Sequence, residues 1–242
     1  MGMPFGDITF YGPTTEGIGT KEYWNEISLQ NFICDLYKHY MNGYKPTNVT
    51  RVCMSPFYHE IWDRTWKNGS LISVAPYFNY EEFNKFDREN KLKYALEVIH
   101  VTMINLSEEY SWDKSVFENA YRQILQNDFK FEIEFPIKYS RDKKTQAGIF
   151  VKKTELTASI FINSRSDGES TQIKLFDKKN WGTYDSSHWI CKHSKWFDND
   201  KFGIYFKPKN WRVWYSFKDK SVTFELDDIQ SMENNVAEVF IL

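Results

Sequence analysis

Only three cysteines, Cys34, Cys53 and Cys191, occur among the 242 residues. They are odd in number and widely separated. That argues against a disulfide framework and points to a reducing compartment. The opening stretch MGMPFGDITF has neither a basic segment nor an apolar run, so no secretory leader is expected. Gly2 invites myristoylation, but Gly6 stands where that signal wants Ser or Thr. The longest apolar region, YALEVIHVTMINL, is broken by Glu97, His100 and Asn105 and is too short and polar to span a bilayer. A cytoplasmic protein is therefore expected, and the sequons at Asn48, Asn68 and Asn105 carry no meaning there. Low-complexity segments, long linkers and repeats of fixed period are also missing.

The usual motifs of cofactor and metal chemistry are absent too. GPTTEGIG has Gly12, Gly17 and Gly19, but no Gly-Lys-Ser/Thr follows to cradle a phosphate. HEIWDR begins like a zincin helix at His59, yet Asp63 stands where the second histidine belongs. The acidic pairs Glu108-Glu109 and Asp227-Asp228 read as solvated surface. No cofactor, metal or catalytic residue is expected.

The densest reactive cluster is SSHWICKHSKW, with His188, Cys191 and His193. A zinc site needs about four converging ligands. A strand at HWICKH would place Cys191 and His193 on one face and His188 on the other. The missing ligands would have to come from Cys34, Cys53, His39, His59 or His100, none in paired spacing. A thiolate nucleophile would need a base and an electropositive setting, and alternation turns Lys192 away from Cys191. The expectation is a strand with a small core cysteine.

Aromatic residues, by contrast, are abundant: 9 Trp, 15 Tyr and 20 Phe. That is enough to fill a core and leave rings near the surface, where Tyr and Trp favour interfaces. The net charge of −2 hides an asymmetry. Residues 129–226 hold 19 Lys and Arg against 12 Asp and Glu, a net of +7; the remainder hold 12 against 21, a net of −9.

The hydrophobic period changes at the same place. Residues 1–128 predict a mixed α/β half. DITFYG and NVTRVCM read as strands, and residues 21–42 as one helix with Trp24, Ile27, Asn31 and Cys34 near one face. EIWDRTW and LISVAPYF form a hairpin about Asn68-Gly69, with Trp62, Arg64 and Trp66 on one face. Residues 80–109 predict a helix, and 111–129 a second one capped by Ser111 or Asp113. Residues 129–242 alternate with period two through KFEIEFPIKYS, AGIFVKK, TASIFINS, TQIKLFD, HWICKH, FGIYFK, WRVWYSF and SVTFEL. Turn signals separate them, among them Asp177-Lys-Lys-Asn180, and the tail NNVAEVFIL offers a last strand. The expected class is α+β: a mixed half with helices, then an antiparallel meander of about seven or eight strands. One compact unit or two subdomains would both satisfy this pattern.

KPKNWRVWYSFKDK interleaves Lys207, Lys209, Arg212, Lys218 and Lys220 with Trp211, Trp214, Tyr215 and Phe217. As an amphipathic strand it sends Trp211, Val213, Tyr215 and Phe217 to one face and Arg212, Trp214 and Ser216 to the other. Trp214 beside Arg212 on the polar face is what alternation leaves unexplained. Arg212, Trp214, Lys207 and Lys209 are therefore the candidate partner-binding residues. They suit an acidic protein surface or a single-stranded nucleic acid.

The segment NKLKYALEVIHVTMINLSEEYSWDKSVFENAYRQILQNDFKFEIE, running into AGIFVKKTELTASIFINS, resembles bacterial immunity proteins of polymorphic or contact-dependent toxin systems. The resemblance lies in layout over residues 90–163: a helical pair with Trp-Asp leading into the second helix, then a charged meander. It implies a small cytosolic protein without catalytic residues that binds and blocks a toxin. It carries over no binding residues, because such families diverge at their binding surfaces. From sequence, then, a non-catalytic protein-binding module is expected, with single-stranded nucleic-acid binding as the alternative and no membrane partner.

Overall fold

The structure, a computed structural model, describes residues 5–13, 16, 20–56, 65–166, 168–179, 190–207, 210–226 and 240–241. These fall into two compact units, one ending at Lys130 and the other starting at Phe131. The class is α+β, with a mixed sheet and helices in the first unit and antiparallel sheets in the second.

The first unit contains β1 (Asp7–Phe10), α1 (Lys21–Glu26), α2 (Ser28–Tyr40), β2 (Arg51–Met54), β3 (Trp66–Asn68), β4 (Leu71–Val74), α3 (Tyr80–Lys85), α4 (Arg88–Glu109) and α5 (Lys114–Gln126). Its sheet runs β1-β2-β4-β3, with β1, β2 and β4 parallel and β3 antiparallel to β4. α2 packs on β1 and on both α4 and α5. Ile8, Phe10, Val52, Met54 and Ile72 from the strands are buried, as are Ile33, Leu36, Leu96, Ile99, Phe117 and Ile124 from the helices.

Caps set the helix limits, and two expected helices are divided by them. Residues 21–42 break at Ile27, whose backbone (φ −108°, ψ 16°) leaves the helical region. Residues 80–109 break at Phe86 and Asp87, where the Asp87 carboxylate accepts from the Asn90 amide at 2.8 Å and starts a new helix. Asp113, rather than Ser111, caps α5, accepting from the Ser115 amide at 3.1 Å.

The hairpin is also one residue later than expected. Asn68 pairs with Leu71, so Gly69-Ser70 forms the turn, and only Gly69 has positive φ, +59°. Glycine at the first central position is the pattern of a type II′ turn. Of the strand expected over EIWDRTW, Trp62 and Arg64 lie outside the described residues.

The second unit contains β5 (Phe131–Glu134), β6 (Lys138–Tyr139), β7 (Thr145–Lys153), β8 (Thr157–Ser166), β9 (Glu169–Lys179), β10 (Ser194–Trp196), β11 (Lys201–Phe206), β12 (Trp211–Ser216), β13 (Ser221–Leu226) and β14 (Phe240–Ile241). The expected meander is divided between two sheets. One runs β14-β9-β8-β7-β5 with β6 also on β7; the other runs β10-β11-β12-β13. Their inward residues share one core, including Ile149, Val151, Ile160 and Ile162 from the first and Phe202, Ile204, Trp211 and Val213 from the second. β6 and β10 are joined: the Lys138 ammonium donates to the Ser194 carbonyl, and the Trp196 indole N–H donates to the Lys138 carbonyl at 2.9 Å.

Two local expectations are corrected. Residues Ile190 and Cys191 are helical, and the His193 amide donates to the Ile190 carbonyl at 3.1 Å, which closes a turn that no strand can contain. The strand begins only at Ser194. The turn expected at Asp177–Asn180 is extended strand as far as Lys179, held by Ser159 donating to Asp177 at 2.6 Å. Within β9 the register shifts: Lys174 pairs with Phe161, but Phe176 pairs with Ile160, leaving Leu175 as a bulged residue. Leu175 and Phe176 are consequently both buried.

Candidate functional site: a cationic and aromatic sheet face

Alternation along β10–β13 sends Phe202, Ile204, Phe206, Trp211 and Val213 to the core, and the residues between them to the outer face. There, Lys195 and Trp214 flank Gly203 from the two neighbouring strands, Tyr205 pairs with Arg212, and Arg212 with Glu225. A Cβ at Gly203 would stand 2.5 Å from the Trp214 Cα and 2.9 Å from its Cβ, and would also collide with the Val213 carbonyl. Only glycine permits the strands to approach so closely.

The Trp214 indole is only 8% exposed. It packs on the Phe197 ring at 5.5 Å, with the Lys201 ammonium 5.9 Å and the Arg212 guanidinium 5.7 Å from the ring centre. Lys195 adds to the arrangement, 5.0 Å from the centre of Phe197 and 4.4 Å from that of Tyr205. Three cations thus lie among three aromatic rings, each attracted by a ring quadrupole. Glu225 is the acid paired on this face, its Oε2 accepting from the Arg212 Nε at 2.6 Å. The acids of the adjacent turns are engaged locally. Asp200 accepts from the Ser216 hydroxyl and the Lys218 amide, each at 2.6 Å, and Asp198 accepts from the Lys201 amide at 2.7 Å.

Arg212 and Trp214 therefore sit side by side on this face, Arg212 half-exposed and Trp214 covered. Lys207 is exposed just beyond β11, and Lys209 lies outside the described residues. Lys195, Phe197, Lys201 and Tyr205 were not singled out in the sequence. Alternation through Lys201 and the FGIYFK run that follows it places Lys201 and Tyr205 on the outer face, but the approach of Lys201 to Trp214 and of Lys195 to Tyr205 depends on strand register.

The remaining reactive side chains are arranged differently. Cys191 is buried in the core, and His188 lies outside the described residues. Burial pushes the Cys34 thiol well up, and burial also raises Cys53, against the pull of Arg51, so neither is a ready thiolate. Tyr11, which shares a hydrogen bond with Cys53, is pushed up to about 12, first by burial and then by that cysteine. Among the described residues, no group of three or more His, Cys, Asp and Glu side chains gathers as a metal site would require. No described helix is long and apolar enough to cross a membrane.

His100 belongs to a polar chain in the first unit. The Tyr37 hydroxyl lies 2.9 Å from its Nδ1 and donates to the Phe117 carbonyl at 3.0 Å. With the single hydroxyl hydrogen committed to Phe117, Nδ1 must be the donor to Tyr37. The ring stacks on Tyr121, which donates to Glu97 at 3.0 Å. Burial lowers the His100 pKa, against the opposing pull of Glu97 and Glu118.

No protein-family model, curated protein or solved structure matches this chain.

Proposed function

We propose that the protein is a non-catalytic protein-binding module, an immunity-type inhibitor that occludes a toxin, and that the outer face of β10–β13 meets an acidic surface of that partner. The observation that carries this reading is the grouping of Lys195, Lys201 and Arg212 around Phe197, Tyr205 and Trp214, with Glu225 as the paired acid. Cations held against rings keep part of their charge available while their stems cover apolar surface. Complementary charge of this kind speeds association and selects partners. The layout resemblance to immunity proteins supports the same class.

Single-stranded nucleic acid is the second reading, favoured by the same mixture of cations and rings. Against it stands the burial of Trp214: a base could stack on the indole only after Phe197, Lys201 or Arg212 moved away.

The test is affinity capture from native cells with the wild-type chain and a Lys195→Glu/Lys201→Glu variant. Stoichiometric capture of one protein by the wild type, lost in the variant and able to protect cells from that protein, supports the proposal. Equal capture by both chains removes the assigned face. Absence of any protein, with retention of single-stranded DNA or RNA at low salt, selects the second reading.

A further inference from the structure

A cleft of about 390 Å³ opens on the other sheet of the second unit, outside the site described above. Its floor and walls come from cross-strand rows of β7, β8 and β9. Gln146, Arg165 and Ser170 form one row; Gly148, Asn163 and Gln172 form the next. Alternation places both rows opposite the core residues Ala147, Ile149 and Ile162. Gly148 provides no side chain to fill the second row, and a Cβ there would press on the Phe135 carbonyl at 3.1 Å. Ile137, 64% exposed, forms an apolar wall, and Tyr139, 59% exposed, lies across from Gln146.

The hydrogen-bonding capacity of this cleft is largely unused. Among the described residues, Arg165 and Gln146 have no side-chain hydrogen bond or ion pair. The Asn163 Oδ1 accepts from the Gln172 Nε2 at 2.9 Å, which leaves the Asn163 amide hydrogens and the Gln172 carbonyl directed elsewhere. Among the described residues, no carboxylate lines the cleft.

Each of these features narrows the ligand. An unpaired guanidinium in a cleft without acids recognises a carboxylate through its planar fork. Side-chain amides offer a donor and an acceptor side by side, which suits the neighbouring hydroxyls of a sugar ring. The apolar wall can take the C–H face of such a ring. The volume lies at the lower end of the small-molecule range and fits a small ring compound, not a folded domain. We propose that this cleft binds a sugar acid, with Arg165 on the carboxylate and Gln146, Asn163 and Gln172 on the hydroxyls.

The experiment is a titration of the full ¹⁵N-labelled chain, followed by NMR, with galacturonate, galactose and inorganic phosphate as probes. Galacturonate is expected to shift the side-chain amides of Gln146, Asn163 and Gln172 and to saturate. Galactose is expected to bind at least about tenfold more weakly, the loss of one charge-assisted hydrogen-bond pair. Arg165→Met should lose galacturonate to the same degree with the remaining spectrum unchanged. If that variant loses its dispersed spectrum, Gln146→Glu puts a carboxylate in the cleft and should repel the same ligand. No saturable shift with galacturonate, equal shifts with galactose, phosphate moving the same amides as strongly, or a folded Arg165→Met that still binds would each overturn the proposal.

Discussion

Asn31 holds Phe10 by both of its backbone polar groups. Its Oδ1 accepts from the Phe10 amide at 2.9 Å, and its Nδ2 donates to the Phe10 carbonyl at 2.9 Å. β1 is an edge strand, with β2 on its other side. A helix side chain thus takes the place of one residue of a missing neighbour strand. Asn31 is only 3% exposed, so neither group of Phe10 has water as a substitute. Asn31→Leu keeps the branched shape but abandons both groups. It should destabilise the protein by about 1–3 kcal/mol for each. Urea unfolding measures this, and an unchanged midpoint would show that the pair contributes nothing net.

Gly203→Ala tests the close approach of β11 and β12. The added methyl has to displace the backbone of Val213 and Trp214. A loss of about 1–3 kcal/mol is expected. Trp214 fluorescence should also shift to the red as its packing on Phe197 loosens. A variant of wild-type stability would mean that the strands separate freely.

Asp7→Asn should be stabilising at neutral pH. Burial raises the Asp7 pKa despite Lys38 and Arg51, whose nearest nitrogens stand 3.9 and 3.7 Å away. A carboxyl whose folded pKa lies above its unfolded value binds its proton more readily in the folded chain. Its charge therefore costs stability above the folded pKa, and that cost fades as pH falls towards the unfolded value of 3.8. Asn keeps an acceptor for the Thr9 hydroxyl, which donates to Asp7 at 3.0 Å. Thermal melts at several pH values should show an advantage for the variant at pH 7 that vanishes in acid. A lower Tm at pH 7 would show that the ion pairs outweigh burial.

His100 should be neutral at pH 7 with its proton on Nδ1, which ¹⁵N NMR of the ring reads directly. Its lowered pKa means that stability is intact above the unfolded value of 6.5 and declines as pH falls from there through the folded value. Tyr37→Phe removes the acceptor of Nδ1 and the donor to Phe117. It should cost about 1–3 kcal/mol and release the tautomer. An Nε2-protonated ring in the wild type would contradict the donor direction.

Glu225→Gln bears on the proposed function. Its pair with Arg212 is half-exposed, so the change should alter stability by less than about 1 kcal/mol. It leaves Arg212 uncompensated, and an acidic partner should then associate faster. Stopped-flow association with the captured protein measures this. A slower rate would indicate that Glu225 itself contacts the partner.

Period-two alternation made the long strands of the second unit readable, because β7, β8 and β11 each alternate about a buried face. It also put Trp214 beside Arg212. It could not say why a tryptophan belongs there, since the reason is Gly203 on another strand. The helix breaks at Ile27 and Phe86 were hidden for a different reason. The apolar stripe continues across each break, while Asp87 competes through a single capping bond. Asn31 sat visibly within an apolar helix face, but its partner Phe10 is distant in sequence. HWICKH has a strand-like composition that a turn overrides. The cleft at Arg165 needed the register of three strands, which no local pattern encodes.

The bulge at Leu175 has a bearing on how this chain can vary. In a regular paired strand, gaining or losing one residue turns every later side chain to the opposite face. β9 has already absorbed such a step: Ile173 and Phe176 both face inward although they are an odd number of positions apart. Deleting Leu175 would restore plain pairing on both sides without reversing Asp177 or Lys178. In a lineage of such proteins, β9 is where a difference of one residue in length can arise without refolding the sheet.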